Sequence, residues 1–484
     1  MVISEVLQIE EMQEQKIRWA TVRFSEVIDL GSRLDAGNYG VEGKKARELI
    51  ENFVGNKVLM KELLVRSLVP PPIRRIFTED KKIGTPYVTP SELLSSKITP
   101  EKYVISQKMA KIHDWFVREN WLLITQSGLV GVPILATKTM EKYVISQNLI
   151  RLEFQSNVDS RFYYAFFKTN IGQALIKTNN YGSVVTHIEP EHLEQIQIPN
   201  PNQTVKLEIS RQIELVVSLR EEANRLIDNA DELLFEFFKF QRLDKLKPTY
   251  FEANTIRNFE LPLSKIGLRF DSSFHVPILA EIRKQLDTCG AHLTTVGAVS
   301  AKILLPGRFK RIYVGAEYGV PFLGGADIME FDPNPAKFLS NTLHKKELAE
   351  ILLAQNMILI TRSGTIGNVV LCPEYLSKMG ATEHIIRIIP SQNINIGYLF
   401  IFLAGEYGAQ LIKRNSFGSV VLHLDCEQIS NIPIPLPPRE IQDKIGNLAL
   451  QANELRNKAH DLEKELIKKV EELILNNQKG LMAK

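Results

Sequence analysis

Two stretches of the chain place apolar residues at alternating steps of three and four. In the first they are Ile209, Val216, Leu219, Ala223, Leu226, Ala230, Leu233 and Phe237, with Gln212 as the one polar member. In the second they are Ile445, Leu448, Ala452, Leu455, Ala459, Leu462, Leu466, Val470 and Leu473. This spacing marks a coiled-coil seam and predicts two long helices. A helix of about 35 residues would extend roughly 50 Å. Proline-rich "IPNPN" and "IPIPLPP" come just before, where the chain must stay extended before a helix can start. A solitary helix with such a stripe would leave it wet, so each stripe is expected to cover the other, with the helices antiparallel. Elsewhere, apolar runs such as "WLLITQSG" and "MILITRSG" end at Ser-Gly and suit buried strands closed by turns. Short helical patterns, "YYAFFKTNIGQALIK" and "LFIFLAGEYGAQLIKR", lie between the strands and the long helices. The pattern predicts α+β domains with twisted sheets.

The two stretches belong to a repeat. "YGSVVTHIEPEHLEQIQIPNPN" from Tyr181 overlies "FGSVVLHLDCEQISNIPIPLPP" from Phe417 at an offset of 236 residues. The same register aligns "GSRLDAGNY" with "GLRFDSSFH", so that Arg33 and Asp35 meet Arg269 and Asp271. It also aligns "RRIF" with "KRIY", "LLITQSGLVG" with "ILITRSGTIG", and "SQNLIRLEF" with "TEHIIRIIP". "GTPYV" meets "GVPFL" after a one-residue deletion. An internal repeat of this kind governs the fold. The copies span about Lys16–Lys247 and Phe251–Lys479. The expected organisation is a first domain at 1–202, a long helix at 203–246, a second domain at 247–437 and a second long helix at 438–479. If a two-fold axis crosses the helices, the domains sit at opposite ends of a rod and face one way. Duplex DNA, with neighbouring half-sites about 34–36 Å per turn apart, is the natural partner for such an object. A shorter echo, "EKYVISQ" at Glu101 and again at Glu141, does not match the long register and suggests two similar strands.

Composition changes this picture little. The 484 residues are 44% hydrophobic and 24% charged, which is ordinary for a globular chain with room for several domains. A net charge of +3 is nearly silent about partners, so any polyanion surface must come from local clusters. Three scattered cysteines form no CxxC pair and fit a reducing cytoplasm. The N-terminus reads as no signal peptide, and no apolar run approaches the roughly 18 residues of a membrane span.

The string "HIEPEH" (His187, Glu189, Glu191, His192) has the composition of a metal site. Its second copy keeps His423 and Glu427 but replaces His192 with Gln428, and neither copy supplies further ligands at helical spacing. It reads as a sheet-to-helix connector, and no metal is expected. The "TQSGLVG" and "TRSGTIG" segments lack a phosphate-loop lysine and predict tight turns with Ser127 and Ser363 near the apex. Such turns could present Gln126 and Arg362 outward, and these side chains suit bidentate contacts with adenine and guanine. Their difference at matched positions is what reading different bases would produce, and equally what surface drift would produce. Basic and aromatic residues cluster in both halves: Arg74, Arg75, Lys81, Lys82, Lys177 and Tyr181 in the first, Arg308, Lys310, Arg311, Lys413, Arg414 and Phe417 in the second. They are candidates for neutralising phosphates. No catalytic residues are assigned. "DPNP" from Asp332 lacks the aromatic of an amino-methyltransferase motif and reads as a turn, and no S-adenosylmethionine loop or Walker lysine is present.

Two domains alternating with two long helices, each domain with "SGxxG", then a Gly-Ser-Val turn, then "IxIP" before its helix, resemble the specificity subunit of type I restriction–modification enzymes. The resemblance covers nearly the whole chain, and "LRFDSSFH" and "IPIPLPPREIQDKI" look typical of the family, whereas "IPNPNQTVKLEI" departs from it mildly. It implies a non-catalytic DNA reader with two target-recognition domains, each binding half of a bipartite, asymmetric site. Two modification subunits would dock on the scaffold and methylate flipped adenines, and ATP-driven restriction subunits would join them. S-adenosylmethionine, ATP and Mg would then belong to those partners, with no cofactor on this chain. Two other readings stay open at this stage: a stand-alone methyltransferase or nuclease with degenerate motifs, and a coiled-coil adaptor that binds protein.

Overall fold

A computed structural model of the chain describes residues 21–29, 39–72, 74–78, 81–105, 113–178, 187–246, 259–266, 269–418 and 422–478. The chain forms two compact units. The first comprises Met1–Leu93, Ile98–Leu215 and Leu462–Lys484, and the second Leu94–Lys97 and Val216–Asp461. The long helices run Gln203–Phe238 and Arg439–Asn476. They are not domains of their own, because each unit takes a share of both.

In the first unit the strands are β1 (Asn56–Leu59), β2 (Leu64–Leu68), β3 (Phe77–Thr78), β4 (Gly84–Val88), β5 (Lys102–Ile105), β6 (Leu122–Thr125), β7 (Pro133–Leu135), β8 (Val144–Ile145), β9 (Leu149–Phe154) and β10 (Gln197–Asn200). One sheet has the order β2-β9-β6-β7, a second β3-β5-β4-β8, and β1 pairs with β10. The second unit repeats this with β11 (His292–Thr295), β12 (Ser300–Leu304), β13 (Tyr313–Val314), β14 (Gly319–Leu323), β15 (Phe338–Ser340), β16 (Ile358–Thr361), β17 (Val369–Leu371), β18 (Gly380–Ala381), β19 (Ile385–Pro390) and β20 (Pro433–Leu436). Its sheets run β12-β19-β16-β17 and β13-β15-β14-β18, with β11 on β20. The central strands β6 and β16 are buried at every position, which is why they read as unbroken apolar runs rather than alternating ones. The two "EKYVISQ" strings supply both neighbours of β4: β5 lies antiparallel on one side and β8 parallel on the other.

A buried arginine holds the sheets of each unit together. Arg151 on β9 donates to the carbonyls of Leu149 (3.0 Å), Ile145 (2.9 Å) and Ser146 (3.4 Å). Its counterpart Arg387 on β19 donates to Ile385 (3.2 Å), Ile351 (3.1 Å) and Ala381 (2.8 Å). Burial holds both guanidinium groups below their usual range, Arg151 at about 9 and Arg387 at about 10.

The long helices bury much of the heptad stripe, Ile209, Val216, Ala223, Leu226 and Ala230 in the first and Ile445, Ala452, Ala459, Leu466 and Val470 in the second, together with a neighbouring column. Ile213, Leu234 and Phe238 are buried, whereas Leu233 is half-buried and Phe237 exposed. In the second helix Ala449, Arg456, Glu463 and Ile474 take the buried places expected for Leu448, Leu455, Leu462 and Leu473. The cause is visible in the second unit. There Ala223, Leu226, Ala230, Ile445, Ala449 and Ala452 share one core with Ile358, Ile386 and the helix Ile396–Ala404. A helix packed on a sheet domain as well as on another helix buries a wider arc than a two-column seam. Two buried polar side chains of the second long helix, Arg456 and Glu463, find partners across the arc. Asn224 accepts from Arg456 (3.0 Å) in the second unit. In the first, Glu463 accepts from Tyr164 (2.5 Å) and Lys168 (2.8 Å), and outside the arc the exposed Glu208 pairs with the exposed Lys469. Among the described residues no helix is long and apolar enough to cross a membrane.

Candidate nucleic-acid interface

The Ser-Gly turns are built alike in both units. The hydroxyl of Thr125, at the end of β6, accepts from the Val132 N–H (2.9 Å) and donates to the Leu129 carbonyl. Thr361 does the same with Asn368 (3.0 Å) and Thr365. Each turn needs two glycines in the left-handed region: Gly128 and Gly131 at φ +76° and +87°, Gly364 and Gly367 at +77° and +84°. At Gly131 a side chain would also meet Ile176 at 2.7 Å.

The expectation that Gln126 and Arg362 point outward is corrected here. Gln126 Nε2 donates to Glu189 Oε2 (3.1 Å). Arg362 donates through Nε to the Leu424 carbonyl (2.7 Å) and through Nη2 to Asp425 Oδ1 (3.0 Å). Glu189 and Asp425 are the same position of the repeat, each capping a short connector helix, Pro190–Glu194 or Cys426–Ser430. A carboxylate placed beside the turn captures its nearest donor, so these residues latch the turn to the connector and position it. In the second latch, Arg362→Met and Asp425→Ala each remove one partner of the pair. A thermal-denaturation double-mutant cycle should give coupling of about 0.5–1 kcal/mol. No coupling would mean that the latch is incidental.

The histidines of "HIEPEH" also find occupations. His192 Nδ1 accepts from the Glu189 N–H (3.1 Å), closing a helix cap, and Gln428 Oε1 accepts from the Asp425 N–H (3.0 Å) in the same way. Sequence exchange of His for Gln is therefore tolerated by shared acceptor chemistry. His187 lies opposite Ser127 in an isolated bridge. Among the described residues no group of three His, Cys, Asp or Glu stands close enough to hold a metal ion.

The remaining candidates divide by environment. Arg74, Arg75, Lys81 and Lys82 are exposed around β3 and the start of β4. Arg75 donates to the Tyr87 hydroxyl (2.7 Å), and Lys81 lies over the Tyr103 ring at 5.7 Å. Lys177 is exposed at the end of the helix Asn170–Lys177. In the second unit Arg308 and Lys310 are exposed, whereas Arg311 is bound by Glu383. Ser363 Oγ lies 2.7 Å from His384 Nδ1, a contact whose counterpart position in the first unit is Asn148. Lys413 is exposed. Arg414 is not the surface cation expected: it is half-buried with its guanidinium 4.0 Å from the centre of Phe274, and burial and then Arg269 and Arg283 lower its pKa. Arg269 covers the same ring at 4.6 Å and pairs with Asp271. Phe417 exchanges both backbone hydrogen bonds with His423 (2.9 and 2.7 Å), closing a hairpin. Tyr181 lies outside the described residues, as do Arg33, Asp35 and the first Gly-Ser-Val turn. Lys102 and Lys337, each isolated in sequence from the basic clusters, carry no motif that marks them, yet strand pairing sets Lys102 opposite Tyr87 in the first unit and Lys337 beside Phe322 in the second.

The family model for the type I restriction modification DNA specificity domain matches twice, over residues 73–225 and 319–472. A specificity subunit of the type I restriction enzyme MjaIX from Methanocaldococcus jannaschii is 21% identical over 407 residues, covering 82% of this chain and 82% of that protein. Among solved structures, a type I restriction-modification S subunit from M. genitalium covers 88% of this chain and 96% of its own, at 15% identity and TM-score 0.34. An HsdS subunit from Thermoanaerobacter tengcongensis covers 88% and 97%, at 14% identity and TM-score 0.27. At those scores the structural likeness bears no weight.

Proposed function

Since the chain belongs to the family of type I restriction modification DNA specificity proteins, we propose that it is the sequence-reading subunit of such a system and performs no catalysis itself. Each specificity domain reads one half of a bipartite, asymmetric DNA site, and the long helices carry two modification subunits. Restriction subunits complete the complex. S-adenosylmethionine, ATP and Mg act on those partners, in the cytoplasm where the DNA lies.

The single observation that supports this best is the pairing of a common scaffold with unlike turn residues. Both units have the same strand order, yet Ser363 Oγ meets His384 Nδ1 at 2.7 Å where the matched positions of the first unit are Ser127 and Asn148. A protein that reads two different half-sites needs one frame and two sets of contacts. The exposed cations Arg74, Arg75, Lys81, Lys82, Lys177, Arg308, Lys310 and Lys413 supply phosphate contacts, and Ser127, Ser363 and Phe417 lie among the turns that reach bases.

The test is reconstitution with the modification subunits, followed by mapping of methylated adenines on genomic DNA. A two-part motif with a fixed spacer is expected, and scrambling either part should abolish methylation. The chain alone, given DNA and labelled S-adenosylmethionine, should transfer no methyl group. Transfer by the isolated chain, or binding indifferent to DNA sequence, would overturn the reading.

A further inference from the structure

A chain of alternating cations and rings is built into the small sheet of each unit. In the first, the Arg75 guanidinium lies over the Tyr87 ring (5.7 Å). Tyr87 meets Phe77 edge-on, with ring centres 5.6 Å apart at 76°. Lys102 Nζ lies over Phe77 at 5.7 Å. In the second, Arg311 lies over Phe322 (5.0 Å), Phe322 and Tyr313 stand 6.4 Å apart at 50°, and Lys337 Nζ lies over Tyr313 at 5.5 Å. All four positions correspond through the repeat, with the offset falling from 236 to 235 after the one-residue deletion. The two ring identities are exchanged, Tyr87 and Phe77 against Phe322 and Tyr313, while the arrangement is kept.

Sheet register explains how separate sequence segments meet. Tyr87 on β4 pairs with Lys102 on β5, and Phe77 on β3 pairs with Val104, two residues along the same face. In the second unit Phe322 N–H bonds to the Lys337 carbonyl, and Tyr313 pairs with Leu339. The inner ring of each chain is buried and the outer ring is not: Phe77 is 46% and Tyr313 41% exposed. The inner cation differs between units, since Arg311 is neutralised by Glu383 while Arg75 meets the Tyr87 hydroxyl. The outer lysines are exposed, and among the described residues neither has an ion-pair partner.

A base-reading contact should differ between halves that read different sequences. A contact to the backbone of the duplex should be the same in both, because phosphate and deoxyribose do not change with sequence. We propose that the two outer ends, Phe77 with Lys102 and Tyr313 with Lys337, are matched sequence-independent clamps for the DNA sugar–phosphate backbone. Each lysine takes a phosphate, and the exposed ring packs against the adjoining deoxyribose. Two unneutralised cations held over rings by the fold favour a polyanion over an apolar protein surface. This inference rests on the DNA-reading function proposed above.

The test uses the full chain assembled with its modification subunits, on the mapped duplex and on one with both half-sites scrambled. The Lys102→Gln, Lys337→Gln double variant should lower the slope of log affinity against log salt by about 1.8, at ~0.9 per phosphate contact. The fall in affinity between 50 and 200 mM salt, the interval used in the assay, then shrinks about twelve-fold on both duplexes, since a fourfold salt change raised to that power gives that factor. Phe77→Leu with Tyr313→Leu should weaken both duplexes alike while leaving the slope unchanged, because a neutral ring releases no counterion. An unaltered slope in the lysine variant would overturn the clamp, as would a loss confined to one half-site, which would make these residues base readers. Weakened assembly with the modification subunits at full DNA affinity would overturn it in favour of a protein contact. Failure of the unsubstituted complex to prefer its mapped site would sink the function itself, a distinct result.

Discussion

Replacing Arg151 by methionine is expected to cost the first unit about 3–5 kcal/mol, and Arg387→Met to cost the second unit as much. Two effects oppose each other. Removing a buried charge relieves a desolvation penalty, which by itself often leaves stability unchanged or improved. But each guanidinium is solvated by three carbonyls, and methionine would leave those acceptors without their donor at ~1–3 kcal/mol apiece. Three abandoned acceptors outweigh the relief of one charge that the fold already accommodates. The readouts are separable, because the tryptophans among the described residues, Trp115 and Trp121, both fall in the first unit. Arg151→Met should shift the tryptophan-reported urea transition to lower concentration. Arg387→Met should leave that transition in place while amide exchange on β16 and β19 accelerates. A midpoint that moves by less than a tenth of the unsubstituted value would show that Arg151 is dispensable, and unchanged amide exchange on β16 and β19 would show the same of Arg387.

Raising the pH from about 5 to 8 is expected to weaken the second unit, against the usual behaviour of a carboxylate. Burial, and then Asp327 and Asp332, push the Glu330 carboxyl up to about 7. Its folded value therefore lies above the ordinary glutamate value of 4.5, and the folded state holds the proton more tightly. The stabilisation is complete below the unfolded pKa and disappears as pH rises through about 7. A shift of this size corresponds to at most ~3 kcal/mol, less after solvent screening of a partly exposed group. Glu330→Gln should remove that dependence and stabilise the unit at pH 8. Amide exchange at residues 327–331, measured at both pH values, reports it. Equal pH responses in the variant and the unsubstituted chain would assign the slope to other groups.

The repeat, the long helices and the strand runs were all legible, because each follows from local spacing or from comparing the chain with itself. What local spacing could not supply were partners from distant segments. Arg456 and Glu463 sit in the buried arc of the second long helix because Asn224, Tyr164 and Lys168 receive them, and no hydrophobic pattern marks such places. The partners of Gln126 and Arg362, connector carboxylates 63 residues away in both units, are equally unmarked by local spacing. Arg414 looked solvated until Phe274 was found beneath it. Lys102 and Lys337 stand outside every basic cluster in the sequence, since only strand pairing brings Lys102 to Phe77 and Lys337 to Tyr313.

Strand β4 is flanked by one heptapeptide used twice, in opposite directions. Neither copy can be told from the other by its own side chains, so early in folding both compete for either edge of β4. Such near-degenerate pairings are a source of kinetic frustration. A chain emerging from the ribosome offers the antiparallel partner some 40 residues before its rival exists, and the order of synthesis resolves the contest. A chain diluted from denaturant meets both at once.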